Sequence, residues 1–588
     1  MEREWRLRVT KCDIEALARE AKISKVTAKI LANRNIQTVE EIKKFMNASL
    51  DDLYDPFLMK DMDKGTDIIL DAIDEGKSIV VYGDYDADGV TSTTILYKGL
   101  CNLEANVKYY IPDREAEGYG MSKDRIKALK SQGTEVILTC DNGISAIEEV
   151  RLAKELGMKV VITDHHELPF MDEGGERKYL ISQADAVINP KRKDCTYPFK
   201  MLCGAGIAFK FIQALYMKLG MADSDIYEFI EIAGIGTICD VVDLVDENRI
   251  IAKNSLKLIS NTKNVGLKAL MSVLGINNKE VKSYNIGFMI GPCINATGRL
   301  DTAALSVELL TTDDSERAME LANTLFQLNK IRQDMTMENV EKITGIIENS
   351  DLKNDKVLVV YKEDVHESIA GIVAGKIREK FNVPAIILTK GKEMPKGSGR
   401  SIEEYNIFEE LIKCEDLLEK FGGHPMAAGL SIKEENIEKF RKRLNENCTL
   451  SDYDIIPKIK IDKRIPLTAV NDILINELEE LEPFGKGNST PIFAEKGVVI
   501  SDIKVLGKNQ NTLKLSCVIN KSEKIDAIAF NKVEEFKEML KNKYKNDYEK
   551  VMNYPSGLKL DLIFYPIVND YNGYKNRQLR IKDFRLSN

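Results

Sequence analysis

Histidine and tryptophan are both scarce in this 588-residue chain, at four residues and one. No run of about 18 uninterrupted apolar residues occurs, so no transmembrane helix is expected. The opening residues MEREWRLRVTKCD are charged where a secretory leader needs an apolar core, so secretion is not expected. Ten cysteines form no C-x-x-C pair and no regular framework, which argues against a disulfide scaffold. Cys140, inside the apolar run VILTCD, fits a small buried hydrophobe. These absences predict a reduced, cytoplasmic protein with no membrane partner. Net positive charge is missing too: the chain carries −9, a poor match to the broad basic face that nonspecific duplex binding needs. A narrow basic groove stays compatible with that total, and carboxylates offset by bound cations would account for part of it.

What is present is ordinary globular composition, 44% apolar and 30% charged, over a length that suggests about three or four domains. Residues 1–48 show apolar spacings of three and four over Cys12 to Ala21, Ser24 to Asn33 and Thr38 to Met46, predicting short amphipathic helices. From about Asp63 the strand-like runs SIVVYGD, NVKYYIPD, EVILTCDNG, KVVITDHH and DAVINP alternate with helical or loop segments. That alternation predicts an α/β fold with a doubly wound parallel sheet. Asp84, Asp141 and Asp164 to His166 fall where strands end, the edge at which open α/β sheets build their sites. Residues 203–350 are helix-rich, and 314–349 predict one long connector helix. Strand and helix alternation returns over 351–450, a second α/β domain. From 451 onward, period-two segments such as TLKLSCVI and LKLDLIFYPIV predict a small antiparallel β-barrel.

All four histidines, His165, His166, His366 and His424, lie in short segments with the character of sites. The segment YGDYDADGVTS sets Asp84, Asp86 and Asp88 at alternate positions. It opens like a calcium-binding EF-hand, but the twelfth loop position is Ile95 rather than Glu and a strand precedes it. Three carboxylates crowded at a strand end repel one another and call for a cation or a positive partner. Asp141 precedes a turn, Asn142-Gly143, and taken alone is as well explained by the turn. Asp164-His165-His166 places carboxylate and imidazole together, a set that suits manganese, while carboxylates alone suit magnesium. Asp240, after GIGTIC, is the fourth group. Together they have the form of a two-metal phosphoesterase site, in which cations about 3.5–4 Å apart activate a water and stabilise an in-line displacement.

On these residues the chain resembles the DHH phosphoesterase superfamily and, within it, the RecJ single-strand-specific exonucleases. The motifs are YGDYDADGVTS, LTCDNGIS, ITDHHE and GTICDVVDL, with IGPCINATGRLDTA, HESIAGIVAGKI, KGSGRS, FGGHPMAAG and PFGKGNSTPIFA beyond them. The resemblance implies a DHH domain over 49–313, a connector helix over 314–350, a DHHA1 domain over 351–450 and an OB-fold over 451–588. It implies two Mn²⁺ or Mg²⁺ ions held by Asp84, Asp86, Asp141, His165 and Asp240. His166 would face the scissile phosphate or orient the water, and Asp88 either ligates or supports. Two departures stand out. Val80 replaces a histidine common in relatives, which implies a more loosely held metal on that side, and Cys293 stands where arginine is frequent.

On the substrate side, Arg114 and Tyr119 in IPDREAEGYGMS suit a terminal phosphate and a stacked base. Ser398 and Arg400 in KGSGRS resemble a phosphate cradle, and Arg299 is a candidate beside the metals. Each arginine is also compatible with a surface salt bridge, and Tyr119 with a core or capping role. His424, in GGHP, suits access to the site, whereas His366 suits a helix cap equally well. The resemblance implies 5′-to-3′ digestion of single-stranded DNA in recombination and repair, with single-strand binding protein and a helicase as partners. Two rivals are a DHH phosphodiesterase of short oligonucleotides or cyclic dinucleotides and an inactive RecJ-like binding protein. Against the first stands the barrel, since residues 451–588 carry 23 Lys and Arg against 20 Asp and Glu, or +3 in a chain of −9. Against the second stand four intact metal motifs.

Overall fold

The computed structural model describes residues 3–173, 176–277, 279–571 and 574–587. They form two compact units, one of residues 50–242 and 247–457, the other of 3–49, 243–246 and 458–588.

The first unit is built on a five-stranded parallel sheet of β1 (Ile79–Tyr82), β2 (Val107–Tyr110), β3 (Val136–Cys140), β4 (Lys159–Thr163) and β5 (Ala186–Ile188). Its order is β2-β1-β3-β4-β5. The chain therefore turns back between β1 and β3, and in open α/β sheets the crevice at such a reversal is where ligands bind. The strands are rich in Val and Ile, and β1 and β3 are buried at every position because helices cover both faces. Val80, Ile137, Val160 and Ile162 face one core with Ile126 and Val150.

Helix α1 (Ala87–Cys101) follows β1 directly and carries a fully buried polar run, Thr91 to Thr94. Each hydroxyl in that run donates to the carbonyl four residues back, at 2.6–2.8 Å, so none is stranded in the interior. Helices α2 (Gly204–Lys218), α3 (Ile230–Cys239) and α4 (Gly291–Leu300) complete the layer around α1. Lys210 of α2 and Glu247, both without solvent exposure, pair at 2.9 Å. Tyr197 donates to the second Glu247 oxygen, so the buried charges are compensated.

The predicted connector is α5 (Ser315–Glu348), 34 residues long, which extends about 50 Å at 1.5 Å per residue. Asp314 caps it by accepting from the Glu316 and Arg317 amides. Beyond it, β6 (Leu358–Tyr361), α6 (Glu367–Phe381) and β7 (Ala385–Thr389) form a parallel β-α-β unit. The antiparallel strands β8 (Lys396–Arg400), β9 (Leu418–His424) and β10 (Ala427–Ile432) extend that sheet in the order β9-β10-β8-β7-β6. Ile343 and Ile347 of α5 pack into its core.

In the second unit, strand 493–506 pairs with 512–518 on one side and 559–571 on the other, closing a barrel through 524–530 and 574–586. A helix, Val533–Tyr544, interrupts the strands before the last hairpin, as in an OB-fold. The barrel is not wholly antiparallel as expected: Lys524–Phe530 runs parallel to Tyr574–Leu586, because its neighbour is the second strand of the last hairpin and the first, Lys559–Tyr571, lies on the far side. The three N-terminal helices form as expected, at Ile14–Ala21, Lys25–Ala32 and Val39–Asn47. They share one core with the barrel, in which Leu17, Leu31 and Ile42 join Leu474, Phe493 and Phe564. An unexpected strand, Glu4–Leu7, pairs in parallel with Lys458–Ile461.

Candidate active site

The carboxyl ends of β1, β3 and β4 and the end of α3 bring the sequence candidates together. Asp84 leaves β1 almost fully buried, and its Oδ1 has no hydrogen-bond partner. Gly89 of α1 lies so close that a Cβ there would come within 2.6 Å of Asp84 atoms, so only glycine lets the helix start where it does. Asp86 caps α1, its Oδ1 accepting from the Asp88 and Gly89 amides at 2.9 and 3.0 Å. Asp88 is buried, and both its oxygens accept from the N-terminal amides of α2, Gly204 at 2.6 Å and Ala205 at 2.8 Å. Those bonds tie α2 to α1.

Asp141 sits at the end of β3 with φ +59, a left-handed conformation that aspartate tolerates better than most residues. Its Oδ1 lies 3.0 Å from His165 Nε2 and 4.0 Å from His166 Nδ1, yet is buried without a hydrogen bond. His165 Nδ1 reaches to 3.9 Å from Asp240 Oδ2, and Asp240 caps the C-terminus of α3. Three clusters have ligand atoms all within 4.8 Å: Asp84–Asp86–Asp141, Asp141–His165–His166 and Asp88–His165–Asp240. Asp141 and His165 each belong to two of them.

Electrostatics agree with a cation site. Burial first, then the neighbouring carboxylates, pushes Asp84, Asp141 and Asp240 well above the usual carboxylate range. Burial also drives His165 down to about 3, leaving a neutral imidazole able to ligate. A crowd of carboxylates that resists ionisation, with two orphaned oxygens and a neutral imidazole, fits divalent cations of the Mn²⁺ or Mg²⁺ type.

His166 differs. Burial lowers it, but its 2.8 Å contact with Asp164 and that carboxylate's charge raise it further, to about 9. Asp164 accepts from the His165 and His166 amides as well, and its second oxygen accepts from Ile144 N at 2.8 Å. It is the residue that orients both histidines, whereas its place in the Asp164-His165-His166 triplet suggested one more carboxylate ligand. Tyr119 is half exposed, donates to the Asp141 carbonyl at 3.1 Å and lies 3.2 Å from His166 Nδ1. It packs edge-on to His166, leaving part of its ring to solvent.

Across the crevice, a cavity of about 390 Å³ is lined by Tyr85 and Arg114 from the first α/β region and by Ser368, Lys396 and Ser398 from the second. The Arg114 guanidinium stands 4.9 Å above the Tyr85 ring. Arg400, on the same strand as Ser398, donates to the Gly399 carbonyl. Gly371 of α6 makes room for it, since a Cβ there would lie 2.7 Å from Arg400 Nη2. Arg299 donates to the Ser368 carbonyl, and burial, Arg114 and Arg332 together lower it to about 10. Arg400 is lowered by burial and by Arg114 and Arg378. Arg114, Arg299, Arg332 and Arg400 thus share one positive field.

Arg332 was not anticipated, since a single arginine on a long polar helix gives no cue. It donates to Asn329, whose Nδ2 lies 3.5 Å from Cys293 Sγ, so a guanidinium stands near that cysteine. Val80 points into the hydrophobic core of the sheet. His366 caps α6, accepting from Ser368 N, and lies 3.4 Å from Glu115. His424 sits exposed at the β9–β10 turn, where it pairs with Ala427 in the ladder, and its side chain makes no hydrogen bond or ion pair among the described residues.

Comparison with known proteins accords with this geometry. Residues 78–237 match the DHH family, N-terminal domain; 354–449 match the DHHA1 domain; 461–583 match the RecJ OB domain. The single-stranded-DNA-specific exonuclease RecJ of Bacillus subtilis is 37% identical over 98% of this chain and 70% of its own length. The chain belongs to the RecJ family. The Salmonella typhimurium member is 30% identical over 90% of this chain and 93% of its own. The crystal structure of Thermus thermophilus RecJ in complex with Mn²⁺ superposes with a TM-score of 0.80 at 26% identity, covering all of this chain and 80% of that one. Among the described residues, no helix is long and apolar enough to cross a membrane.

Proposed function

We propose that this chain is a metal-dependent exonuclease that degrades single-stranded DNA from the 5′ end, releasing 5′-mononucleotides in recombination and repair. One observation carries the reading: a carboxylate–histidine cluster suited to two divalent cations adjoins, through Tyr85 between Asp84 and Asp86, a cavity lined by Arg114 and Ser398 from two separate α/β regions. Asp84, Asp86, Asp141, His165 and Asp240 would hold the cations, which when bound supply an activated water and charge stabilisation at the phosphorus. His166, held charged and oriented by Asp164, donates a hydrogen bond to a phosphate oxygen at the scissile bond. Tyr119 backs His166 and offers its exposed face to the terminal base. Arg114, Ser398 and Arg400 grip the terminal 5′-phosphate, and Arg299 reinforces the positive field beside the metals. Asp88 holds α2 against α1, and His424 marks the rim. A barrel with a net positive balance favours a long strand over short oligonucleotides. Single-strand binding protein and a helicase are the partners that the resemblance implies.

The test uses end-labelled single-stranded, blunt-duplex and RNA substrates, with Mn²⁺, Mg²⁺ or excess EDTA, and resolves products by size. Mononucleotide release from single strands that requires a divalent cation is expected. Full activity in EDTA, or equal rates on blunt duplex, refutes it.

A further inference from the structure

Most large aromatic side chains of the first unit are buried or half-buried, but two lie in the open side by side. Tyr284 and Phe288 are 63% and 68% exposed, with ring centroids 5.0 Å apart and planes 23° from parallel. They sit on a helical segment, 283–290, that runs without a break into α4 through a π-turn at Ile286–Ile290. Along that continuous helix Tyr284 and Phe288 are the exposed positions, and with the partly exposed Pro292, Asn295 and Arg299 they recur at spacings of four, four, three and four. They form one face.

The far end of this face belongs to the metal centre. Asn295 Oδ1 accepts from the Ala87 amide at 2.9 Å, next to Asp86, and Arg299 stands in the arginine field of the phosphate cavity. The near end is tied to the same centre by another route. A Cβ on Gly291 would lie 2.3 Å from Cys239 Sγ, the residue before Asp240, so the two helices meet without a gap. Phe288 stands seven residues from Asn295, about 10 Å at 1.5 Å per residue, or about three nucleotides at roughly 3.4 Å each.

We propose that Tyr284 and Phe288 form a base-stacking platform for the single strand, about three nucleotides beyond the scissile phosphate, at the end of the helical face that begins at the metals. This rests on the exonuclease reading and deepens it. Ring pairs held nearly parallel in water present a flat π-surface that accepts any base, which suits a nuclease without sequence preference. The backbone of the strand would meet Arg299 at one end of the face and its bases the aromatic pair at the other.

The test uses the full chain in EDTA with a 5′-phosphorylated 20-nucleotide strand bearing 2-aminopurine at successive positions two to six. Wild type should quench the fluorophore most near positions three to five. Tyr284→Ala/Phe288→Ala should abolish that quenching and weaken binding by about tenfold to a hundredfold, and Tyr284→Trp/Phe288→Trp should restore both. With metal present, hydrolysis of a 5′-phosphorylated dinucleotide, too short to reach the pair, should be unchanged in the alanine variant. Unchanged affinity and quenching in the alanine variant overturns the platform, as does an equal loss on the dinucleotide. A wild type that quenches but cleaves no DNA sinks the exonuclease reading alone; one that cleaves without quenching sinks the platform alone.

Discussion

Replacing Arg400 with alanine separates a substrate-binding arginine from a structural one. Among the described residues, neither Arg400 nor Arg114 forms an ion pair, although both stand within a cluster of like charges. Burial and the fields of Arg114 and Arg378 disfavour the charged guanidinium of Arg400, whose side chain donates only to its neighbour's carbonyl. Removing it therefore deletes a poorly compensated charge, and the melting temperature should stay level or rise slightly. The catalytic consequence has the opposite sign. A charge-assisted hydrogen bond contributes about 1.5–3 kcal/mol, so kcat/KM on 5′-phosphorylated strands should fall by roughly tenfold to about a hundredfold or slightly more. Strands with a 5′-hydroxyl lack the partner and should lose far less. The assay compares wild type and Arg400→Ala on both substrates, with thermal unfolding of each protein. Equal slowing on the two substrates, or a large drop in melting temperature, refutes the anchoring role.

Asp141→Ala removes the carboxylate shared by two candidate clusters and should lower hydrolysis by at least about a thousandfold, with far-ultraviolet circular dichroism unchanged; near wild-type rates would remove it from the metal set. Asp164→Asn, which keeps the shape but loses the charge that orients His166, should cost about tenfold to a hundredfold in rate, read by single-turnover kinetics, and an unchanged rate would show that His166 needs no such support. Gly298→Ala forces a Cβ to 2.2 Å from the Tyr85 carbonyl, between Asp84 and Asp86. It should destabilise the protein by about 1–3 kcal/mol in urea unfolding and also reduce Mn²⁺ affinity by calorimetry; full retention of both would show that the backbone there yields freely.

The sheet was legible because β1, β3 and β4 are apolar runs that stop at aspartates, and a buried strand shows its end as the first polar residue. Metal candidates followed from the same signal, since Asp84, Asp141 and His165 all sit one or two residues past a strand. What escaped was whatever depends on partners distant in sequence. Asp164 looked like one more ligand, and only the fold turns its carboxylate back onto its own histidines and Ile144. Arg332 acquires meaning only when α5 passes Cys293. The parallel pairing of Lys524–Phe530 with Tyr574–Leu586 was hidden because period-two patterning is the same for either strand direction.

The folded chain keeps its opposite charges apart where it could have let them cancel. Asp84 feels the charge of Arg114, yet the guanidinium rests over the ring of the next residue, Tyr85, instead of pairing with that carboxylate. Backbone strain gathers at the same place: Asp141 has φ +59, and Val241, a β-branched residue directly after Asp240, has φ +56, a conformation that costs on the order of 1–3 kcal/mol. Two orphaned carboxylate oxygens and a neutral histidine then stand on one side, and Arg114 and Arg400, which form no ion pair among the described residues, on the other. Each would be satisfied by neutralisation within the protein, at the cost of the site. Left as they are, the acidic side lacks positive charge and the basic side lacks negative charge, so a phosphate delivered with divalent cations completes both at once. That arrangement favours binding over stability, and it accounts for why the chain tolerates so many uncompensated groups in one place.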